Sequence, residues 1–314
     1  MLLLFLLLTA ASSKTTVFDG HAGSHQSTAI AFANTALLNT TLASLVPGDI
    51  LIIPNQTFTM MGGIFSSGLD SVTIQIDGTL EFSTDMKHWP LVKPDAKMPK
   101  TCIIIENSIG LTISSNGTGT LDGQGSTWWG IPGVGYLERG KNRPPLITIN
   151  NATNFVFEKI ALVNSPRFHF TSSGLLNATI RHSSVSARRT KDDSHSAIDL
   201  TAFNTDGFDV SGKDIHIHDC DVWNQDDTFA VKAIKETTSN VLIENVRASG
   251  VGLSIGSIGH NAVRNVTFRN VIMHHPYKGI YIKFRDSGGR GGVIEDVLYE
   301  NIFIDKPSSW PIWM

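Results

Sequence analysis

Short segments of alternating apolar and polar residues recur along the second half of the chain. Each copy begins with Asn or Asp, and apolar residues then fall on every second position, which is typical of a β-strand with one buried face. The copies begin at Asn154, Asn177, Asp214, Asn240, Asn265 and Asp296, at intervals of 23, 37, 26, 25 and 31 residues. Weaker copies precede them at 72–76 and 111–113. The pattern therefore predicts short strands that return about every 25 residues.

Strands at this spacing, with no helical period between them, suit neither a sandwich nor a βαβ fold. They favour an all-β right-handed parallel β-helix, whose coils stack to bury a continuous core. The recurrent Asn and Asp residues are predicted to form turns, because both tolerate the left-handed backbone region. Asn245, Asn270 and Asn301 recur at a second matching place, where stacked side chains would form a ladder. Only Ser27–Leu45 is predicted to be helical, and it would cap the N-terminal end.

Two segments are predicted to be loop insertions between coils. Residues 188–196 (RRTKDDSHS) are polar, and residues 123–145 contain several Gly and Pro residues around Trp128-Trp129. The two Trp side chains either stack against a sugar or pack against the coils, and both interpretations stay open.

The start of the chain predicts a secretory signal peptide over residues 1–13. Met1–Leu8 is apolar and small residues follow, although no Lys or Arg precedes the run. The run is too short to span a bilayer, and a misassigned start or a buried strand is the alternative. Six Asn-x-Ser/Thr sites would accept glycans, at Asn39, Asn55, Asn116, Asn151, Asn177 and Asn265. We expect a secreted, extracellular protein with one domain over residues 14–314 and no membrane span.

Composition narrows the class of protein further. The chain has 314 residues, 41% of them hydrophobic and 17% charged, with a formal net charge of −3. A chain of this kind buries a large core and has no basic footprint for nucleic acid. Two cysteines, Cys102 and Cys220, exclude a disulfide scaffold, and whether they pair stays open. No Cys or His cluster has zinc-site spacing, so we expect no metal. We also expect no cofactor, no nucleic-acid partner and a monomeric protein.

Three carboxylates are candidates for chemistry. Asp206 lies in Asn204-Thr-Asp-Gly, and Asp226-Asp227 follow 20 residues later, about one coil further on. Residues one coil apart lie roughly 4.8 Å apart in a solenoid, so these side chains are expected to meet. Carboxylates held close together repel, so that one keeps a proton while the others stay ionised. The cluster would thus supply an acid and a base at one pH, as cleavage of a glycosidic bond requires. Asp209 and Asp221 lie off the pattern and are interpreted as turn or surface residues.

Four segments in order resemble the signature segments of the polygalacturonase family of pectin-degrading glycoside hydrolases, glycoside hydrolase family 28. They are Asn204-Thr-Asp-Gly, Gln225-Asp-Asp, the glycine-rich segment that runs into Ser254-Ile-Gly-Ser, and Tyr281-Ile-Lys, where the family has Arg-Ile-Lys. The resemblance extends from about Val17 to the end of the chain. It implies a single-stranded right-handed parallel β-helix, the pectin-lyase-like solenoid, and a reaction that needs no metal.

The resemblance also implies roles for individual residues. Asp226 would be the general acid that protonates the leaving oxygen, and Asp206 and Asp227 would hold and activate the attacking water. Because such a reaction inverts the anomeric centre, the acid and base carboxyls are expected roughly 6.5–9.5 Å apart. The residues expected to bind substrate are Asn204, Gln225, Gly252, Tyr281 and Lys283, with glycines in the third segment allowing a bulky substrate to approach the backbone.

The chain departs from the family pattern at several places. Val251 stands where the family has His, and Tyr281 stands where it has an Arg that binds the sugar carboxylate. Arg285, two residues beyond Lys283 on the same strand face, is predicted to replace the missing cation. Family members often have a disulfide that links the residue after the Asp pair to the start of the glycine-rich segment. Thr228 and Ser249 stand at these two positions here, so the resemblance implies a variant without that bridge. Family members also continue for further coils and a C-terminal cap, so the C-terminal coils of this chain are expected to be truncated. Either the sequence is a fragment or the chain has lost its cap.

These observations predict a secreted inverting glycoside hydrolase that cleaves pectic polysaccharide, with α-1,4-galacturonosyl links as the first choice. One alternative is the same chemistry on rhamnogalacturonan, a rhamnoside or another decorated pectin. A second is a weakly active or inactive carbohydrate-binding β-helix, because of Val251 and Tyr281. A lyase is the third, although three carboxylates favour a hydrolase.

Overall fold

Parallel strands that stack coil upon coil form the body of the protein. The computed structural model describes residues 13–94, 96–130, 142–188, 195, 199–286, 288 and 291–314. The helix α1 covers Thr28–Ala43, and short 3₁₀ helices cover Met86–His88, Gly125–Thr127 and Asp199–Ala202. The strands are β1 (Thr15–Val17), β2 (Ile50–Ile53), β3 (Thr57–Met60), β4 (Ile64–Ser67), β5 (Thr73–Ile76), β6 (Thr79–Phe82), β7 (Ile103–Ile109), β8 (Thr112–Ser114), β9 (Thr120–Asp122), β10 (Ile147–Glu158), β11 (Ala161–Val163), β12 (Phe170–Arg181), β13 (Ser184–Ser186), β14 (Phe208–Val210), β15 (Gly212–His218), β16 (Asp221–Trp223), β17 (Asp227–Val231), β18 (Thr238–Ser249), β19 (Gly252–Ile258), β20 (Ala262–His274), β21 (Ile280–Phe284), β22 (Val293–Asp305) and β23 (Ile312–Trp313).

The strands pair in parallel along three faces, which we name sheets A, B and C. Sheet A contains β1, β2, β5, β8 and β15 with parts of β10, β12, β18, β20 and β22. Sheet B contains β3, β6, β9, β11, β13 and β16 with the ends of β18, β20 and β22. Sheet C contains β4, β7, β14, β17, β19, β21 and β23 with the starts of β10 and β12. The chain visits each sheet once per coil, so the predicted right-handed parallel β-helix is confirmed.

The recurrent Asn and Asp residues turn the chain into sheet A. All six have a left-handed backbone, with φ between 50° and 56°, at Asn154, Asn177, Asp214, Asn240, Asn265 and Asp296. Most residues avoid this region because Cβ approaches the following carbonyl oxygen, but Asn and Asp tolerate it. The predicted turn role of these residues is confirmed.

Side-chain amides at these turns connect successive coils. Nδ2 of Asn240 donates to Oδ1 of Asp214 over 2.8 Å, and Oδ1 of Asn240 accepts from Nδ2 of Asn265 over 2.9 Å. A second ladder joins Asn301 to Asn270 and Asn270 to Asn245, each over 3.1 Å. The ladder that the sequence predicted is therefore present, and each amide also holds its own turn.

Apolar side chains of the three sheets fill the interior. Phe208 stacks on Phe229 with ring centroids 5.6 Å apart, and its other neighbour is Phe170 at 5.7 Å. All three rings are fully buried. Because the register aligns Phe170, Phe208 and Phe229, each coil places its ring on the ring of the coil before. This register fixes the positions of the residues that flank the rings.

The helix α1 closes the first coils. Ser27 caps its N-terminus by accepting from the Ile30 N–H, and Ala31, Leu38 and Leu42 join the core. The helix predicted over Ser27–Leu45 is thus confirmed with slightly shorter bounds. Among the described residues, no helix is both long and apolar enough to cross a membrane.

The predictions for the loops and cysteines have mixed outcomes. Residues 1–12 of the signal peptide predicted over 1–13 lie outside the described residues, as do 189–194 and 196 of the 188–196 loop and 131–141 of the 123–145 loop. Trp128 is 3% exposed and Trp129 is fully buried, so these rings pack and do not form a sugar platform. Cys102 and Cys220 are buried and free, so they do not pair with each other.

A test of the turns compares two substitutions of Asn240. Both Asn240→Gly and Asn240→Ala remove the amide hydrogen bonds, but only Ala adds strain at positive φ. We expect the Ala variant to have a free energy of unfolding about 1 kcal/mol lower than the Gly variant, measured by chemical denaturation. The same pair at Ser239, on ordinary strand backbone, should show the opposite order. If Asn240→Gly is the less stable of its pair, the turn argument is wrong.

Candidate active site

The outer face of sheet C brings the three predicted carboxylates together. Asp206 lies two residues before β14, Asp226 ends the turn before β17, and Asp227 begins β17. Because β14 and β17 are neighbours in the sheet, these residues lie on adjacent coils. One oxygen of each side chain lies within 4.8 Å of the other two. The sequence therefore located the cluster correctly.

Backbone amides hold the Asp226 carboxylate. Its Oδ1 accepts from the Asp227 N–H and its Oδ2 from the Asn204 N–H, each over 2.8 Å. Asn204 can present its N–H here because its backbone is left-handed, with φ of 61°. The buried amide of Asn224 ties the two turns together, since Nδ2 donates to the carbonyls of Thr205 and Asp227. Asp226 remains partly exposed, in contrast to its two neighbours.

Asp227 lies below Asp226 and is 1% exposed. Oδ1 accepts from Oγ of Ser254 over 2.7 Å, and Oδ2 forms an ion pair with Nζ of Lys283. The sequence left open whether Lys283 is only a solvated charge. Its ammonium group instead contacts the cluster directly.

Two members of the cluster escaped the sequence analysis. Nζ of Lys232 lies 3.3 Å from Oδ2 of Asp209, 3.7 Å from that of Asp206 and 3.8 Å from that of Asp227. The interpretation of Asp209 as a turn or surface residue is wrong, because it is 5% exposed and faces Lys232. The alternation of residues in β14 predicts the orientation of Asp209. Because Phe208 and Val210 point inward, Asp209 must point to the outer face. Lys232 is the only charged residue between Asp227 and Ala233, which also marks it as unusual.

Burial and mutual repulsion favour protonation of two carboxyl groups. Burial, followed by the charges of Asp209 and Asp226, raises the pKa of Asp206 well above its ordinary value. Burial and then the charge of Asp227 raise the pKa of Asp226 to about 6. Burial lowers the pKa of Lys232, but the neighbouring carboxylates outweigh it and leave the pKa above its usual value. The cluster thus holds a proton at mildly acid pH beside a permanent cation.

The nearest oxygens of the acid and base carboxyls lie closer together than the roughly 6.5–9.5 Å expected between the two groups. The approach within 4.8 Å has a physical reason, because two ammonium groups lie among the carboxylates and offset their repulsion. The same three aspartates have the arrangement of possible metal ligands. Lys232 and Lys283 already provide the positive charge that a cation would bring to this place.

The residues predicted to bind substrate lie in different environments. Gln225 is 1% exposed and Gly252 is buried, so both lie beneath the surface of the site. A Cβ on Gly252 would lie 2.8 Å from the carbonyl oxygen of Gly279. The lack of a side chain at Gly252 thus lets the next coil pack closely, and substrate contact at this glycine stays a prediction. Asn204 is partly exposed and reaches the cluster through its backbone.

Tyr281 lies between two lysines on the outer face of β21. Nζ of Lys278 is 3.8 Å from the centroid of its ring, and Nζ of Lys283 is 4.4 Å from it. Trp313 covers Lys278 at 3.9 Å, which leaves this lysine 7% exposed. Ammonium groups over an aromatic ring are attracted by its quadrupole. The position where the family has one Arg is thus flanked by two lysines, of which the sequence analysis considered only Lys283.

An open cleft of about 710 Å³ borders the cluster. Asp209 and Lys232 line it on one side, and Arg285 and His260 line it on the other. Arg285 follows β21 directly and is exposed, so it lies just beyond the strand on which a shared face with Lys283 was predicted. Val251, in place of the family His, is buried, and its N–H donates to the Asp226 carbonyl over 2.7 Å. No titratable side chain therefore stands at position 251.

The fold and the site define a right-handed parallel β-helix that carries an acid–base cluster on the outer face of one sheet. Residues 45–314 match the family model described as glycosyl hydrolases family 28, and the chain belongs to this family.

Relatives within the family carry different names. The chain is 30% identical over 263 residues to an endo-polygalacturonase of Pectobacterium carotovorum subsp. carotovorum, covering 76% of this chain and 62% of the relative. It is 26% identical over 272 residues to an alpha-L-rhamnosidase of Aspergillus niger, covering 81% and 61%. The crystal structure of an endo-xylogalacturonan hydrolase from Aspergillus tubingensis superposes with a TM-score of 0.71 at 21% identity, covering 91% and 74%. The chain spans less than two thirds of the length of these two curated relatives.

A stability measurement tests the electrostatics of the cluster. Because the pKa of Asp206 is raised in the folded state, its contribution to stability is present at low pH and lost as pH rises through that pKa. Asp206→Asn removes this loss, so we expect the variant to exceed the original protein in free energy of unfolding by about 1 kcal/mol or more at pH 7. The difference should shrink towards pH 4. Asp221→Asn, an exposed control, should change little, and a destabilised Asp206→Asn at pH 7 would contradict the argument.

Proposed function

We propose that this protein is a glycoside hydrolase that cleaves pectic polysaccharide, with α-1,4-galacturonosyl links as its first substrate. Membership of glycosyl hydrolases family 28 supports the reaction class. The observation that carries the proposal is the cluster of Asp206, Asp226 and Asp227, in which a partly exposed carboxyl group stands beside two buried ones.

Asp226 is the general acid of the proposed reaction. It is the most exposed of the three carboxyls, so it is the one that a glycosidic oxygen can approach from solvent. With a pKa of about 6 it carries a proton at mildly acid pH and can donate it to the leaving sugar. The two backbone N–H groups then stabilise the carboxylate that remains.

Asp206 and Asp227 hold the attacking water. They are 3% and 1% exposed, so a water molecule can reach them from the cleft more readily than a sugar ring can. Both oxygens of Asp227 are already engaged, by Ser254 and Lys283. Oδ1 of Asp206 has no hydrogen-bond partner among the described residues and is the oxygen that takes the proton of the water.

The same placement favours inversion over a covalent intermediate. A retaining enzyme needs a carboxylate that touches the anomeric carbon, and neither buried aspartate extends into the cleft. Water between the buried pair and the sugar attacks once, on the face opposite to Asp226.

The cations of the cleft favour an anionic polymer. Lys283 and the Lys278 ammonium flank Tyr281, and Arg285 lines the cleft beyond them. A galacturonate carboxylate at this place would meet positive charge without the Arg of the family pattern. Because relatives are named for rhamnose-containing and xylose-decorated substrates as well, a decorated pectin is the second candidate.

We further propose that the protein is secreted and acts as a monomer. The apolar start of the chain, followed by small residues, supports export. Among the six glycosylation sites, Asn151, Asn177 and Asn265 use their side-chain amide nitrogen in hydrogen bonds between coils. Asn55 and Asn116 are exposed and are the better acceptors of a glycan.

Release of reducing ends from polygalacturonate and from rhamnogalacturonan at mildly acid pH tests the reaction and the substrate together. We expect Asp226→Asn to lower kcat by about 10²–10⁴-fold, because general acid catalysis contributes about that much. Asp221→Asn on sheet B is the matched control and should retain activity. Proton NMR of the first product should show the β-anomer.

Other outcomes would contradict the proposal. Products that absorb in the ultraviolet would indicate a lyase. Retention of polymer without cleavage, by a folded protein, would indicate a binding protein and make Val251→His the first reversion. Release from rhamnogalacturonan alone would replace the first substrate with the second.

Removing the charge of Arg285 tests the recognition of anionic substrate. We expect Arg285→Gln to raise KM for polygalacturonate about three- to tenfold, with a smaller change in kcat, since the side chain lines the cleft away from the cluster. Arg247→Gln, on sheet B, is the control for loss of one charge. Equal KM for Arg285→Gln and the original protein would show that Arg285 does not replace the missing cation.

A further inference from the structure

Lys232 is a largely buried cation among the carboxylates, and the reaction as proposed above gives it no role. We propose that Lys232 is a positioning residue whose ammonium group, 3.7 Å from Oδ2 of Asp206, favours the ionised form of Asp206, the form that can take a proton from water. This inference rests on the proposed hydrolysis and deepens it.

The backbone fixes where the ammonium group lies. Lys232 directly follows β17, its N–H donates to the Val210 carbonyl over 2.8 Å, and its own carbonyl accepts from Oγ1 of Thr238 over 2.6 Å. Its side chain is 20% exposed and lies over the cluster. Asp209, at 3.3 Å, is the nearest partner and holds the ammonium group in place. From there Nζ lies 3.7 Å from Oδ2 of Asp206.

The three carboxylates of the proposed reaction are stabilised in different ways. Asp226 accepts from two backbone N–H groups, and Asp227 accepts from Ser254 and pairs closely with Lys283. Asp206 has neither kind of support. Lys232 is the cation paired with Asp206 in the described part of the chain, and Oδ1 of Asp206 is buried without a donor there. Loss of the Lys232 charge should therefore affect Asp206 more than Asp226.

The other charged and titratable groups around Asp206 do not replace Lys232. They come from every neighbouring element: Arg167 and His169 before β12, Asp209 on β14, Asp226 and Asp227 at β17, Lys283 on β21, and His260, Arg285 and Asp286 along the cleft. Burial lowers the pKa of His169 to about 4, so this ring is neutral at the working pH. Arg167 attracts both Asp206 and Asp209 but forms no ion pair with either among the described contacts. The charges of Asp209, Asp226 and Asp227 all favour the protonated form of Asp206.

The sign of the effect follows from this arrangement. An opposite charge nearby favours the ionised carboxylate, so removing it raises the pKa of Asp206 and requires a higher pH for the base to form. Asp209 has the opposite influence, because its negative charge raises the pKa of Asp206 and also draws Lys232 to itself. Neutralising Lys232 and neutralising Asp209 should therefore move the ionisation of Asp206 in opposite directions.

The first experiment measures kcat/KM against pH for the original protein, Lys232→Gln and Lys232→Arg. In Lys232→Gln we expect the limb of the profile that follows the titration of Asp206 to move up by about one pH unit, with a smaller shift of the other limb. Lys232→Arg should keep most of the original profile, because it keeps the charge. Lys235→Gln removes an exposed lysine three residues away and should leave the profile unchanged. A Lys232→Gln profile that falls in height without moving the limb would overturn the proposal and leave a structural role only.

A second experiment needs no substrate. Carboxyl ¹³C NMR follows the titration of Asp206, whose signal is identified by its loss in Asp206→Asn. We expect Asp206 to titrate at higher pH in Lys232→Gln and at lower pH in Asp209→Asn. The Asp209→Asn variant tests the inference on its own if Lys232→Gln fails to fold. An Asp206 titration that does not move in either variant would refute the inference. If the titrations move and no polymer is cleaved, the proposed function fails while the role of Lys232 stands.

Discussion

The register of parallel strands in sheet C is the constraint on which the site depends. Phe170, Phe208 and Phe229 can stack only if the parallel strands pair in the register that places each ring opposite the ring of the neighbouring coil. Once the rings are aligned, the residues before and after them have no freedom to shift, because a slip by one residue would turn the rings outward. Asp206 and Asp227 flank these rings by two residues each, so the packing of the core brings their carboxylates together. The chemistry is thus a consequence of apolar packing on the inner face.

Packing carboxylates together at this place has an electrostatic cost that the chain offsets locally. Four aspartates lie within a small, largely buried region, and in the described part of the chain two ammonium groups pair with them. The excess of negative charge favours proton uptake, which is why the pKa values of Asp206 and Asp226 rise. If the ammonium groups offset all of the negative charge, no carboxyl would hold a proton for a leaving group. If they offset none of it, too many carboxyls would be protonated and none could act as a base. The partial compensation of charge is therefore the feature that makes acid–base chemistry possible.

The repeat could be predicted from sequence because it is a property of periodicity. Alternation and recurrent Asn residues identified the coils, the turns and the ladders, and motif spacing identified the three aspartates. The partners of those aspartates were harder to predict. Lys232 and Asp209 are ordinary residues in isolation and become unusual only when the register shows that they face one another on the outside of sheet C. Gly252 is a related case, because the sequence shows that space is needed there but not that the carbonyl of Gly279 on the next coil lies so close.

The chain departs from the family pattern at positions 281 and 251, and neighbouring residues replace the missing charge only at position 281. Position 281 lost a cation, yet Lys278 and Lys283 lie on its ring and Arg285 follows, so positive charge remains beside the cleft. Position 251 lost a titratable group, and the apolar Val251 side chain is buried against the turn that carries Asp226. A histidine can gain or lose a proton during a reaction, whereas a lysine beside four carboxylates stays charged throughout. Proton balance in this cluster must therefore come from the carboxyls themselves under a fixed positive field. Under the proposed mechanism, the raised pKa values of Asp206 and Asp226 then set the pH range in which one carboxyl of the cluster holds a proton while another is ionised.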